Sequence, residues 1–196
     1  MSYIKEFRSA ASRTARWGLG NHDLPDTAAP LDQAILNELE ASSHIPFAER
    51  AGKAMAVNFG MFHMLVKKYG VRDCVITMGS VSVDGNPLVD APPALFKTMI
   101  DDQSGEAHLG SYHLWTTLPG GVILDHVILS SLHRQGLVDI NEMIPSERSV
   151  CAQADGLPHG LRYHPAVVGE EFFVASGTID REAMDYLMGE RFPRQY

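Results

Sequence analysis

Y-H-L-W-T-T-L-P-G-G-V-I-L-D-H-V-I, Tyr112 to Ile128, decides how the chain folds. Two β-rich runs flank Pro119-Gly120-Gly121, residues that supply a pre-set φ and then tolerate positive φ, so the stretch reads as a β-hairpin. With those three residues as the loop, Leu118 pairs with Val122, Trp115 faces Asp125, and His113 lies diagonally from Asp125 on the same sheet face. A loop wider by one residue on each side sets His113 and Asp125 directly opposite. A two-residue loop at Pro119-Gly120 puts them on opposite faces, because a one-residue slip inverts every side chain.

Where the two share a face, the carboxylate can orient and charge-stabilise the imidazole, which is the supporting half of a nucleophilic triad. A His and an Asp across a hairpin also serve as a plain surface pair or a structural hydrogen bond. The apolar neighbours Leu114, Trp115, Val122, Ile123, Leu124, Val127 and Ile128 indicate a hairpin that is largely buried. Burial raises the significance of the pair.

At 196 residues the chain suits one domain, 1–196, with enough length to bury a core without staples. A net charge of −8 and the lack of a Lys/Arg-rich run argue against nucleic acid or an anionic membrane as the main partner. No apolar run reaches membrane-spanning length, and Met-Ser-Tyr-Ile-Lys-Glu is not a secretory signal. Two cysteines, Cys74 and Cys151, make no disulfide framework. The expectation is a cytoplasmic protein.

Residues 1–30 read as an arm or short helix packed on the body through Phe7, Trp17 and Leu19. Leu31 to Ala41 reads as a short amphipathic helix behind Pro30, and Ser42-Ser43-His44 as a break. Pro46 to Tyr69 is the longest helix candidate, central and buried, weakened only by Gly52 and Gly60 and stopped at Gly70. Cys74 to Val83 is β-rich and ends at the turn Asp84-Gly85-Asn86-Pro87. A short helix fits Pro93 to Ile100, and a helical turn Ser130 to Gln135; Val138 to Ile144 is ambiguous. Residues 145–171 read as long surface loops, Glu171 to Ser176 as a late strand, and Arg181 to Met188 as a helix capped by Asp180. The fold class is α+β, a central buried helix packed on an antiparallel sheet.

In its order (helix, Gly70, strand Cys74–Val83 with Met78-Gly79, then His113-Leu114-Trp115 and Ile123-Leu124-Asp125) the chain resembles the papain-like cysteine proteinase fold, in its transglutaminase and arylamine N-acetyltransferase branch. The resemblance spans residues 46–128. It implies a nucleophilic Cys at the start of the central helix, with His113 as base and Asp125 as its orienting group. Counting back from Gly70 by the interval usual in that branch lands on Met55, within Gly52-Lys53-Ala54-Met55-Ala56. A thioether has no ionisable proton and attacks carbon poorly, so the Cys position is replaced. Met55, Asn58 (one turn on) and Trp115 are candidate cleft residues; Asn58 serves equally as a structural Asn bonded to backbone.

Cys74 is the alternative thiol near the constellation, with Arg72 and His113 as its visible helpers; as a residue opening a strand it is also an ordinary small core hydrophobe. Ser80 and Ser82 share its face. Nine histidines show no H-E-x-x-H, C-x-x-C or paired-His helix spacing, and no Gly-rich phosphate loop opens a helix, so neither metal nor cofactor is expected. Three readings remain open. One is a degenerate member that keeps the His113–Asp125 cleft and binds a peptide or small ligand or a protein partner. Another is an active amide or ester hydrolase or acyltransferase using Cys74, or a water activated by His113. The third is an unrelated α+β interaction domain in which the pair is structural.

Overall fold

The computed structural model of the chain describes residues 2–27, 31–140 and 143–189. Pro30 and residues 141–142 of the ambiguous segment lie outside the described residues.

Among the described residues, six antiparallel strands form one sheet. The β1 strand (Val75–Val83) is its centre. On one edge it pairs with β3 (His113–Leu118) through Val75–Gly79 and, further along, with β2 (Asn86–Val89) through Val81–Val83. On the other edge it pairs with β6 (Leu161–Val168). Outward from β3 come β4 (Val122–Asp125) and β5 (Val150–Gln153). Register shifts at Val81/Ser82 and Met78/Gly79 bend β1.

Helices cover both faces. Against one face pack α3 (Gly60–Lys67), α4 (Pro93–Asp102), α6 (Glu171–Ala175) and α7 (Arg181–Met188), which bury Phe62, Phe96, Phe172 and Met188 against Met78, Leu114 and Leu124. Against the other pack α1 (Tyr3–Arg16) and α5 (Ile128–Arg134), with Tyr3, Phe7, Leu129 and Leu132 against Val81, Trp115 and Tyr163. Each large apolar side chain removed from water this completely contributes about 1.5–3 kcal/mol. The remaining helix, α2 (Gln33–Ser42), is capped by Asp32, whose carboxylate accepts from Ala34 N–H. No helix among the described residues is long and apolar enough to cross a membrane.

Four expectations need correction. The helix read over Pro46–Tyr69 is broken: Phe47–Glu49 is a 3₁₀ turn, Gly52 takes φ +79°, and only after it does a π-helical turn, Met55–Phe59, run into α3. Of the two glycines in that run, Gly52 takes the positive φ that reverses the chain at no steric cost, while Gly60 stays helical at φ −59°. The turn after β1 is two residues, Asp84-Gly85, so Asn86 and Pro87 belong to β2. Residues 145–171 are not long loops but contain β5 and β6. Pro165 and its neighbouring glycines masked the alternation of β6, yet the proline is tolerated beside the irregularity opposite Gly79. Glu171–Ser176 is helical, not extended: the β-like composition of Phe172-Phe173-Val174 reflects burial between α4 and the sheet.

A Cβ at Gly79 would lie 2.1 Å from the His164 carbonyl oxygen and 2.9 Å from Ala166 N, both rigid backbone. Gly60, exposed within the helix at φ −59°, has open space around it. Gly79→Ala is therefore expected to lower stability by about 1–3 kcal/mol and Gly60→Ala to raise it by about 0.5–1 kcal/mol. Urea-denaturation midpoints read both signs.

Candidate functional site

The hairpin closes with Pro119–Gly121 as its loop, and Leu118, Thr117 and Thr116 pair with Val122, Ile123 and Leu124. Continuing that register puts Trp115 opposite Asp125 and His113 one diagonal step beyond it, on the same face. The side chains meet: His113 Nε2 is 2.5 Å from Asp125 Oδ2, with His113 4% and Asp125 0% exposed.

Asp125 is a hub. Its Oδ2 also accepts from the Tyr163 hydroxyl at 2.8 Å, and its Oδ1 accepts from Asn58 Nδ2 (2.8 Å), Val127 N–H (2.8 Å) and Ile128 N–H (3.1 Å). Burial by itself would push this carboxyl up. The charge and hydrogen bond of His113, the Asn58 amide and the Val127 N–H outweigh it and bring it down to about 2. Burial and the Asp125 charge push the Tyr163 hydroxyl well above its ordinary range, so it stays a donor. An ionised carboxylate only accepts; the proton between it and His113 therefore sits on Nε2. The other ring nitrogen, Nδ1, has no partner among the described residues; it carries a lone pair in the neutral ring and an N–H in the charged ring. In a neutral ring that atom is a base.

Asn58 links the pair to the helix. Its amide nitrogen also donates to Leu114 O at 2.6 Å, and its oxygen accepts from His126 N–H at 2.8 Å. It sits within the π-helical turn, a distortion that re-aims side chains and occurs often at functional sites. Behind it, Arg50 and Glu40 form a buried ion pair at 2.7 Å, and Arg50 Nη1 reaches His126 O. Burial would raise the Glu40 carboxyl, but His126 and Arg50 hold it below its ordinary value.

His113 opens on a cavity of about 260 Å³ shared with Met55, Ala54, Leu88, Leu109, Ser131 and Arg134. Met55 and His113 thus face one hollow. A larger cavity, about 590 Å³, lies between α1 and residues 21–26 and touches none of these side chains; chemistry, not size, makes the smaller one the candidate. Asn58 and Trp115 do not line it. Asn58 is 1% exposed and spent on Asp125, Leu114 and His126, which is the structural of its two readings. Trp115 lies beneath the site: its indole N–H donates to the Tyr3 hydroxyl at 2.8 Å and its ring meets Tyr163 edge-on.

Cys74 is not brought to the pair. Val75 pairs with Thr117 while Gly79 pairs with His113, so Cys74 is five residues along the strand from His113's level, roughly 16 Å at the usual rise. It is buried, with Sγ 3.3 Å from Val71 O. Burial raises the Cys151 thiol on β5, which leaves it protonated. Ser80 accepts from Ala91 N–H. Ser82 Oγ lies 3.1 Å from His164 Nε2, whose Nδ1 faces Glu6 at 3.1 Å, a triad-like chain. Ser82 is paired on both strand edges, with Pro87 and Arg162, so it sits inside the sheet and not at an open turn or helix start. Among the described residues, no group of three or more His, Cys, Asp and Glu side chains could hold a metal ion.

Tyr163 and Arg134 escaped the sequence. The alternation of Leu161 and Tyr163 against Arg162 and His164 was the available signal for the first. For the second, only the fold brings the end of α5 to the helix start, through Ala51 N–H to Ser130 Oγ and Arg134 Nη1 to Ala51 O. Compared with known proteins, the chain matches no family model, no curated protein and no solved structure.

The depressed Asp125 value sets the sign of an acid effect. Its stabilisation is complete above the unfolded value near 4 and is lost as pH falls through about 2. The melting-temperature gap between wild type and Asp125→Asn is expected to shrink on acidification below about 4, by the equivalent of about 2 kcal/mol. A gap independent of pH would contradict the ionised hub.

Proposed function

We propose that the chain is a degenerate member of the papain-like fold, in the transglutaminase and arylamine N-acetyltransferase branch, which keeps the His113–Asp125 half of the machinery and uses the cleft to bind a peptide or small ligand. One observation carries this: Met55, where the branch has its thiol, lines the same cavity as an imidazole whose far nitrogen is fixed by a buried carboxylate. The element order supports it too, helix start, core strand, His strand, tight loop, Asp strand.

The chemistry follows from what each group can donate. Asp125 fixes the ring and would stabilise its charged form; Nδ1 can take a proton from whatever lies in the cavity. Covalent attack needs an ionisable nucleophile at that place, and Met55 has none. Cys74 cannot substitute from its position at the far end of β1. A water activated by Nδ1 gives a hydrolytic second reading, favoured by that nitrogen's lack of a protein partner; ester hydrolysis that vanishes in His113→Ala would identify it.

Restoring sulfur nucleophilicity tests the reading. In Met55→Cys, the new thiol beside His113 is expected to react with iodoacetamide at pH 7 about tenfold or more faster than an ordinary thiol, with the excess lost when His113→Ala is added. Peptide mapping separates this alkylation from that of Cys74 and Cys151. Labelling at the rate of the unfolded chain would contradict an inherited catalytic cleft.

A further inference from the structure

We infer that the cavity beside His113 is a carboxylate site whose ligand is an N-acylated apolar amino acid, free or as the last residue of a peptide; this rests on the reading of the cleft as a binding site and names what it binds. The first observation is electrostatic. The chain carries 24 acidic against 16 basic residues, yet none of the twelve residues lining this cavity is acidic and one, Arg134, is a permanent cation. Arg134 is exposed at the end of α5, and among the described residues no carboxylate lies within ion-pairing distance of it. Among the described residues its one acceptor is Ala51 O at 3.4 Å, a long contact that leaves the fork of the guanidinium available for a bidentate partner.

The second observation is His113. It is 96% buried by its 4% exposure, its Nε2 is committed to Asp125, and the ring borders the cavity with Nδ1 unpartnered among the described residues. In the neutral ring a nitrogen so placed accepts an N–H from the ligand. Leu88, Leu109 and Met55 supply the apolar wall between the two polar ends, and Leu109 is 46% exposed. The helix start at Ala54 and Met55 borders the same space and adds a positive dipole end. Carboxylate, aliphatic side chain and acylated N–H are the three features of one amino-acid unit. The volume, about 260 Å³, sits just under the range for drug-sized ligands and suits a single residue.

Titration of the wild-type protein with N-acetyl-L-leucine and N-acetyl-L-leucinamide, followed through the His113 ring and Met55 methyl resonances, tests the site. The acid is expected to bind saturably and the amide about tenfold or more weakly; Arg134→Gln should reduce the acid to the amide's affinity while Arg134→Lys keeps part of the difference. A tetrapeptide ending in Leu distinguishes the sources: tighter binding than N-acetyl-L-leucine assigns a peptide C-terminus, equal binding a free acylated amino acid, and both support the site. Equal affinity for acid and amide, or no perturbation by either at millimolar concentration, would overturn it. That failure is separable from failure of the cleft reading, because rapid alkylation of Met55→Cys does not depend on Arg134.

Discussion

A buried carboxylate with five donors around it is the constraint that the rest of the site obeys. Asp125 takes hydrogen bonds from His113, Tyr163, Asn58 and two consecutive backbone N–H groups, those of Val127 and Ile128. Those donors come from β3, β6, the π-helical turn and the start of α5. One charge therefore fixes the mutual placement of four elements that no single apolar contact would specify. Desolvating it is costly, and losing any one donor leaves a buried charge less compensated, so the network acts as a unit.

Beneath the hub is a second polar layer. The Tyr3 hydroxyl lies 2.6 Å from Thr117 Oγ1, Thr117 lies 2.7 Å from Thr77, and the Trp115 indole donates to Tyr3. These groups are buried, and their mutual satisfaction lets α1 close the face of the sheet on which His113, Trp115 and Asp125 stand. Burial pushes the Tyr3 hydroxyl above its ordinary range, so it remains a neutral donor within the chain of hydroxyls. The result is an imidazole held on one side by a buried, hydrogen-bonded network and bordering the cavity on the other.

Much of this was legible in the residues. Pro119-Gly120-Gly121 set the hairpin register, and the period-two rule then placed His113 and Asp125 on one face; α4 and α7 were marked by Pro93 and by the Asp180 cap, which accepts from Ala183 N–H. The losses have physical causes. Gly52 broke a helix whose apolar spacing was otherwise continuous, because periodicity senses burial and not backbone reversal. Pro165 hid β6, and with it Tyr163, because proline argues against a strand unless a neighbour such as Gly79 makes room. Arg134 was invisible since its meaning depends on α5 docking beside residues some eighty positions earlier.

The orientation of one imidazole is the claim on which cleft, chemistry and ligand all depend. Long-range ¹H–¹⁵N spectra of the histidine rings at neutral pH measure it directly: His113 should hold its proton on Nε2, with a strongly downfield N–H resonance that disappears in Asp125→Asn. A ring protonated on Nδ1, or one exchanging freely between tautomers and indifferent to Asp125→Asn, would contradict the account.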